Sequence, residues 1–317
     1  MDKELGKMLK ALVVGGTGFL GSKIANFLVS KGYEVWVLRL SMSRDSIYDL
    51  RSQIRVVSSD ISEIKELKAC GISWEFNLVI NCGGYVNHSS FFKANDEIVG
   101  AHLIGTLNLV KLINNKKLKK YIHIGSSDEY GDVRSVCIEE MREAPLSTYA
   151  FSKVASTHFL QMIAKSEDFP SVIIRPFLVY GSDQDENRLL PYVVQSCINN
   201  DEFELTNGNQ VRDFLYIDDF INAINVIIEA PTEKIKGKIY NIVYGKSYTI
   251  AEVVDIIVRL TGGGKPLFGA KKTRSNESPV LKANLQSFQR DFKWEPKISL
   301  IEGLKRLIEF RRKNIKD

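Results

Sequence analysis

The stretch Lys10–Ile24, which reads KALVVGGTGFLGSKI, restricts the fold of this chain more than any other. An apolar run leads into a turn that holds four glycines, and apolar residues at helical spacing follow. A strand, a glycine-rich turn and a helix N-terminus in that order can hold a pyrophosphate, because the backbone approaches closely and free N–H groups face the charge. A glycine-rich surface turn is the alternative, which the flanking strand and helix disfavour. The residues predicted to bind a dinucleotide here are Gly15, Gly18, Phe19, Leu20 and Gly21.

Strand-like runs recur beyond this turn, and helical patterns separate them. They lie at 34–38, 55–58, 78–80 and 121–124, with long helices expected at 97–113 and 148–165. Strands that alternate with helices predict an α/β fold with a doubly wound parallel sheet, the Rossmann fold. In such sheets ligands bind beyond the carboxyl ends of the strands, so the residues that follow each strand are candidates for the site.

The composition is that of an ordinary soluble globular enzyme, with 44% hydrophobic and 26% charged residues among 317. A net charge of +5 spread along the chain does not favour a nucleic-acid partner, and no apolar run reaches the length of a membrane span. The first ten residues are polar and charged, and no signal peptide is visible. The cysteines lack metal or redox spacing and are typical of reduced thiols in a cytoplasmic protein: Cys70, Cys82, Cys137 and Cys197.

The residue after the second strand indicates which dinucleotide is preferred. A fold that prefers NAD usually has an acidic residue there, which holds the ribose hydroxyls. This chain has Arg39, whose guanidinium can hold a 2′-phosphate through charge-assisted hydrogen bonds. We therefore expect NADP(H) to be preferred, with NAD(H) left open, although an ordinary surface arginine would look the same.

Two other strand ends carry cofactor candidates. Asp60, followed by Ile61, can accept a hydrogen bond from the adenine amino group, or it can cap the helix that follows. After the fourth strand come Cys82, Gly83 and Gly84, small residues past which a cofactor can lie close to the backbone.

The fifth strand and the next helix supply candidates for chemistry. Ser126 follows the strand, and Tyr149 and Lys153 are four residues apart, on one face of a helix. An ammonium group beside a phenol favours the phenolate form. Taken alone, a tyrosine and a lysine at this spacing are common on helices and carry little weight.

Together, the glycine turn, Ser126 and the Tyr149/Lys153 pair resemble the extended short-chain dehydrogenase/reductase family, whose members act on nucleotide sugars. The resemblance covers nearly the whole chain, including SVIIRPFLVY at 171–180, QVRDFLYIDD at 210–219 and WEP at 294–296. It implies that residues 1–176, with a strand near 238–243, form a dinucleotide-binding domain, and that 177–317 form mainly a smaller C-terminal substrate-binding lobe. It also implies a homodimer through the two long helices.

The resemblance implies a role for each site residue. Tyr149 would be the acid or base, Lys153 its tuner and a ligand of the nicotinamide ribose, and Ser126 a hydrogen-bond donor to the reacting oxygen. Further implied ligands are Pro176 for the cofactor and Ser127, Asp128, Arg212 and Arg274 for the nucleotide-sugar substrate. The chain departs from the family at His102, where asparagine is frequent, which makes this histidine a candidate site residue.

Three reactions share this machinery. We expect an NADPH-dependent reductase of a nucleotide-linked keto sugar, because Arg39 favours NADPH and GSSDEYG at 125–131 resembles reductases of 4-keto-6-deoxy sugars. The alternatives are an epimerase or a 4,6-dehydratase that uses bound NAD(P). Dehydration is disfavoured because Ser127 and Asp128 stand where the family places an acid and a base. A non-catalytic NADP-binding regulator is a further alternative, which the retained Ser126, Tyr149 and Lys153 oppose.

Overall fold

The structure is a computed structural model, and it describes residues 8–40, 52–87, 91–133, 135–273 and 277–314. The strands are β1 (Lys10–Val14), β2 (Glu34–Arg39), β3 (Arg55–Ser58), β4 (Leu78–Asn81), β5 (Lys120–Ile124), β6 (Ser171–Pro176), β7 (Leu178–Tyr180), β8 (Glu202–Leu205), β9 (Val211–Tyr216), β10 (Ile239–Ile242), β11 (Ser247–Thr249), β12 (Lys265–Phe268) and β13 (Val280–Leu281). The helices are α1 (Phe19–Ser30), α2 (Ile64–Ala69), α3 (Phe91–Val99), α4 (Gly105–Leu112), α5 (Thr148–Ser166), α6 (Leu189–Asn199), α7 (Ile217–Glu229), α8 (Thr232–Ile235), α9 (Ile250–Thr261), α10 (Gln286–Phe292) and α11 (Leu300–Asn314).

A seven-stranded sheet in the order β10-β6-β5-β4-β1-β2-β3 organises the fold. Strand β1 lies between β2 and β4, parallel to both, so that Val13 is aligned with Val37 on one side and Ile80 on the other. These three side chains are fully buried, as expected where helices cover both faces of a parallel sheet. The predicted doubly wound α/β fold is confirmed.

The chain forms two compact units that interleave along the sequence. The first comprises Met1–Glu129, Ser147–Ile174 and Ile227–Ile239, and the second comprises Tyr130–Leu146, Arg175–Val226 and Tyr240–Asp317. Each unit takes segments from both sides of residue 176, and the predicted division there, with a strand near 238–243 that returns to the first domain, stays a prediction.

Lys120 joins distant segments of the first unit. Its ammonium group is buried and donates to the carbonyl oxygens of Ile227, Ile228 and Ala230, at 2.6, 2.8 and 2.6 Å. These carbonyls end helix α7, where a cation is favoured by the unsatisfied C=O groups and the helix dipole. The segment 227–239 is therefore held to the start of β5 by a charged side chain.

The second unit contains its own smaller sheets. Strand β9 pairs with β11, β13 and β7, and β12 pairs with β8. Helix α9 begins with a capping box, in which Thr249 Oγ1 accepts from Glu252 N and the Glu252 carboxylate accepts from Thr249 N.

The helix expected at 97–113 differs in detail from the prediction. It starts earlier, at Phe91, and a π-helical turn at Gly100–Ile104 separates α3 from α4. The carbonyl of His102, inside this turn, accepts from the hydroxyls of Thr106 and Ser156, at 2.6 and 3.1 Å. Such turns are often found at functional sites. Within the described part of the chain, no helix combines the length and the apolar character needed to span a membrane.

Candidate active site

The glycine turn lies between β1 and α1. Gly15 follows the strand, Gly18 precedes the helix, and Phe19–Gly21 make its first turn. A Cβ atom on Gly21 would lie 2.3 Å from the carbonyl oxygen of Gly15, so no other residue fits without opening the turn. The start of α1 has neither a side-chain cap nor an acidic residue in its first turn. Its N–H groups therefore suit the pyrophosphate of a dinucleotide.

Arg39 and Asp60 lie at the ends of neighbouring strands. Arg39 is the last residue of β2, and its Nε donates to Ser58 Oγ at 3.1 Å. Asp60 Oδ1 accepts from the backbone N and the hydroxyl of Ser62, at 2.8 and 2.7 Å, and so closes a local turn two residues beyond β3. Asp60 thus stabilises the turn ahead of α2, although the residue at the N-cap of that helix is Glu63. A contact of Asp60 or Ile61 with adenine stays a prediction.

Cys82, Gly83 and Gly84 directly follow β4. Asn81, the last residue of that strand, accepts at Oδ1 from Gly83 N at 3.0 Å and so holds this segment in place. Burial raises the pKa of the Cys82 thiol to about 12, which keeps it neutral. The segment therefore presents a short, uncharged backbone stretch beside the glycine turn.

Lys153 reaches the end of β5 near Ser126, and Tyr149 lies one helical turn before Lys153 on α5. Each is at most 9% exposed. Lys153 Nζ donates at 2.7 Å to the carbonyl of Ile124, the last residue of β5, and Ser126 lies two residues further on. Ser126 Oγ accepts from Asp128 N at 3.1 Å, so the hydrogen of its hydroxyl can serve another acceptor. The structure thus brings the three predicted catalytic residues to the carboxyl end of the central sheet.

Burial dominates the electrostatics of this site. It lowers the pKa of Lys153 to about 8, while the carboxylate of Glu129 acts in the opposite direction. Burial and the charge of Lys153 lower the pKa of His102 to about 3, and the same two causes lower the pKa of His123 well below its ordinary value. Both imidazoles are therefore neutral near pH 7.

His102 packs against the predicted acid-base residue. Its ring makes an edge-on contact with the Tyr149 ring, with centroids 4.9 Å apart. His102 Nε2 lies 3.0 Å from the carbonyl oxygen of Tyr85, so the neutral ring carries its hydrogen there. Nδ1 is then a buried acceptor without a hydrogen-bond partner among the described residues. A Cβ atom on Gly84 would lie 2.0 Å from His102 Cε1, so glycine makes room for the ring.

Glu129 is a site residue that the sequence patterns did not single out. It is fully buried, and its carboxylate accepts from Ser126 N at 2.8 Å and from Thr157 Oγ1 at 2.9 Å. It belongs to the short 3₁₀ turn Ser127–Tyr130, in which Ser127 is buried and Asp128 is partly buried. In the sequence, an acidic residue directly after Ser-Ser-Asp is typical of a solvated loop. Its buried position is evident only from its hydrogen bonds to Ser126 and Thr157.

The second unit holds the other predicted ligands. Arg212, on β9, is buried, and its Nη2 donates to Glu277 Oε1 at 2.8 Å. Pro176 ends β6 within the same unit. Arg274 lies outside the described residues. Among the described residues, no group of three or more His, Cys, Asp or Glu side chains is arranged to hold a metal ion.

A family model described as the NAD dependent epimerase/dehydratase family matches residues 11–243. The chain belongs to this family. A dTDP-D-glucose 4,6-dehydratase of Dictyostelium discoideum is 25% identical over 253 residues, which cover 74% of this chain and 57% of that protein. A UDP-glucose 4-epimerase of Halalkalibacterium halodurans is 24% identical over 311 residues, 92% of each chain. A solved UDP-glucuronic acid 4-epimerase of Bacillus cereus, in complex with UDP-glucuronic acid and NAD, has a TM-score of 0.86 and 23% identity, covering 96% of this chain and 100% of the other.

Membership of the epimerase/dehydratase family confirms the resemblance that the glycine turn, Ser126 and the Tyr149/Lys153 pair carry. The nearer likeness to reductases of 4-keto sugars has no counterpart in the three relatives named above, which are epimerases and a dehydratase. The roles of the individual site residues stay predictions for this member of the family.

Proposed function

We propose that this enzyme epimerises a nucleotide-linked sugar with a bound nicotinamide dinucleotide. The single observation that carries the proposal is the bond of Lys153 Nζ to Ile124 O at 2.7 Å, which holds the helix of Tyr149 and Lys153 against the end of β5, two residues before Ser126. The family and the two epimerases among the named relatives support it, as does the uncapped start of α1, which fits a pyrophosphate.

The dinucleotide, when bound, would supply the hydride acceptor and donor. Tyr149 takes the proton from a sugar hydroxyl while its carbon is oxidised, and gives a proton back when the carbonyl is reduced. Ser126 donates a hydrogen bond to that oxygen, which its contact with Asp128 N leaves it free to do. Lys153 places an ammonium group one helical turn from Tyr149 and favours the tyrosinate. Epimerisation needs no further acid or base, but the keto sugar must turn between the two steps so that the hydride returns to the opposite face of the carbonyl carbon.

Dehydration needs more than this site offers. Removal of water from the sugar requires a second acid and a second base, which the resemblance places at Ser127 and Asp128. A serine hydroxyl is a weak acid, and Ser127 is buried. We therefore prefer epimerisation to 4,6-dehydration.

A reductase that consumes NADPH is the second candidate. The specific observation in its favour is Arg39, which ends β2 at the position where NAD sites usually have an acidic residue. Its guanidinium donates to Ser58 Oγ. Because the relatives named above are two epimerases and a dehydratase, we place the reductase below the epimerase, although the sequence patterns favoured the reductase. NADP(H) remains our preferred cofactor on the strength of Arg39, with NAD(H) as the alternative.

Binding roles are proposed for the two units separately. The first unit, with the glycine turn and Cys82–Gly84, would hold the dinucleotide. In the second unit Arg212 would hold the substrate diphosphate, and the ion pair with Glu277 keeps its guanidinium oriented until then. Arg274 and Pro176 keep their predicted roles as substrate and cofactor ligands.

We further propose a cytoplasmic homodimer formed through α3, α4 and α5. Phe151 and Met162, on α5, are each 53% exposed, and Ile104 in the π-helical turn is 39% exposed. Large apolar side chains on the surfaces of long helices are typical of interfaces. Light scattering at micromolar concentration tests this, and a monomer would reject it.

One assay separates the reactions. The enzyme is incubated with UDP- and dTDP-linked hexoses and their 4-keto derivatives, while NMR follows the sugar and absorbance follows the nicotinamide. Two sugars that interconvert at constant NAD(P)H support the epimerase. Stoichiometric loss of NADPH identifies the reductase, and loss of water from the sugar identifies the dehydratase. Absence of dinucleotide binding would overturn all three.

A further inference from the structure

Glu129 is a buried carboxylate that the proposed chemistry does not use. It is 0% exposed, so its burial is costly unless its oxygens are hydrogen-bonded or its charge is paired. Its two oxygens divide between two elements, since Oε1 accepts from Ser126 N at 2.8 Å and Oε2 accepts from Thr157 Oγ1 at 2.9 Å. Glu129 therefore ties the loop after β5 to helix α5.

Lys153 also connects α5 to the end of β5, but from the side of the helix. Thr157 lies one helical turn after Lys153 on α5, hence on the same face. Lys153 Nζ bonds to Ile124 O, two residues before the amide that Glu129 holds. Glu129 and Lys153 thus each connect α5 to the end of β5, at points one helical turn apart on α5.

Three other titratable groups near Lys153 are neutral near pH 7, namely Cys82 after β4, His102 in the π-helical turn and His123 on β5. Tyr149, on α5, is the group whose phenolate form the charge of Lys153 would favour. Burial raises the pKa of Cys82 to about 12 and lowers the pKa of His102 to about 3 and of His123 well below its ordinary value. The group whose negative charge favours protonated Lys153 is Glu129.

We propose that Glu129 is a positioning residue, which fixes the backbone of Ser126 and keeps Lys153 in its ammonium form. In this role Glu129 acts through Ser126 and Lys153 and not on a reacting atom. The inference rests on the proposed function for its catalytic consequence, because the tyrosinate of Tyr149 benefits only from a charged Lys153.

The test compares three variants. Glu129→Gln keeps an acceptor for Ser126 N but removes the charge, Glu129→Asp keeps the charge on a shorter side chain, and Thr157→Val removes one hydrogen bond and leaves the carboxylate. Side-chain NMR of protein labelled with nitrogen-15 at lysine follows the titration of Lys153, whose signal is assigned by its loss in Lys153→Arg.

A nearby opposite charge typically shifts a pKa by about one unit or more, and Glu129 acts to raise that of Lys153. We therefore expect Lys153 to titrate about one pH unit lower in Glu129→Gln, and the alkaline limb of turnover to move down with it. The pKa of Lys153 should be unchanged in Thr157→Val and nearly unchanged in Glu129→Asp, which keeps the negative charge. Because the NMR readout needs no sugar, it stands even if no nucleotide sugar is turned over, which would overturn only the proposed function. An unchanged Lys153 titration in Glu129→Gln would overturn the inference and leave Glu129 a merely structural residue.

Discussion

Two glycines of the same turn should respond differently to alanine. A Cβ atom on Gly21 would lie 2.3 Å from Gly15 O and 2.8 Å from Gly16 Cα, far inside van der Waals contact. A Cβ atom on Gly18 would lie 3.4 Å from Gly15 O, an ordinary contact. Gly21→Ala therefore forces the turn apart, and overpacking of this kind costs about 1–3 kcal/mol.

Gly18→Ala should cost the folded protein less, because its Cβ atom makes only an ordinary contact and alanine in place of glycine at an N-cap costs about 1 kcal/mol or less. Its effect should instead be on ligand binding, since a methyl group at Gly18 would lie where the backbone is predicted to approach the pyrophosphate. We thus expect Gly21→Ala to lower stability without any ligand and Gly18→Ala to lower dinucleotide affinity while leaving the ligand-free protein nearly as stable.

Chemical denaturation of the ligand-free protein measures the first effect, and fluorescence titration with NADPH and NADH measures the second. Wild-type stability in Gly21→Ala would refute the contact argument. Wild-type dinucleotide affinity in Gly18→Ala would show that this glycine does not face the ligand.

Three further outcomes follow from the site and its surroundings. Tyr149→Phe should lower turnover by about 10²–10⁴ with dinucleotide affinity retained, as for a lost proton-transfer group, and full activity would exclude it as the acid or base. Arg39→Asp should lose NADPH affinity and gain NADH affinity, since each charge-assisted hydrogen bond contributes about 1.5–3 kcal/mol, and equal binding of both cofactors by wild type contradicts the reasoning. Lys120→Met should lower the denaturation midpoint, because three carbonyl oxygens lose their donor, and an unchanged midpoint would show that this anchor is dispensable.

Local patterns were enough to predict the sheet, and they also led to the site residues proposed at its carboxyl end. The apolar run before Gly15 and the spacing of Tyr149 and Lys153 are short-range features, and the carboxyl ends of parallel strands necessarily share one edge. Ser126 is a candidate for the same reason, since it lies two residues beyond the end of β5.

Longer-range features were beyond the sequence patterns. The π-helical turn at Gly100–Ile104 has nearly the apolar spacing of an α-helix, so a continuous helix was the natural expectation. The placement of Glu129 depends on Thr157, 28 residues away, and the pairing of Arg212 with Glu277 spans 65. Contacts of this kind arise from tertiary packing, which periodicity does not record.

The interleaving of the two units has a consequence for biosynthesis. Because the first unit needs Ile227–Ile239, a nascent chain that has emerged only as far as Pro176 lacks the carbonyls that receive Lys120. Contacts between residues far apart in sequence slow folding. The edge of β6 stays unpaired until β10 has been synthesised, more than sixty residues later. Truncation at the apparent domain boundary should therefore yield an aggregation-prone fragment rather than an isolated dinucleotide-binding module, and a separable module must carry the segment 227–242 with it.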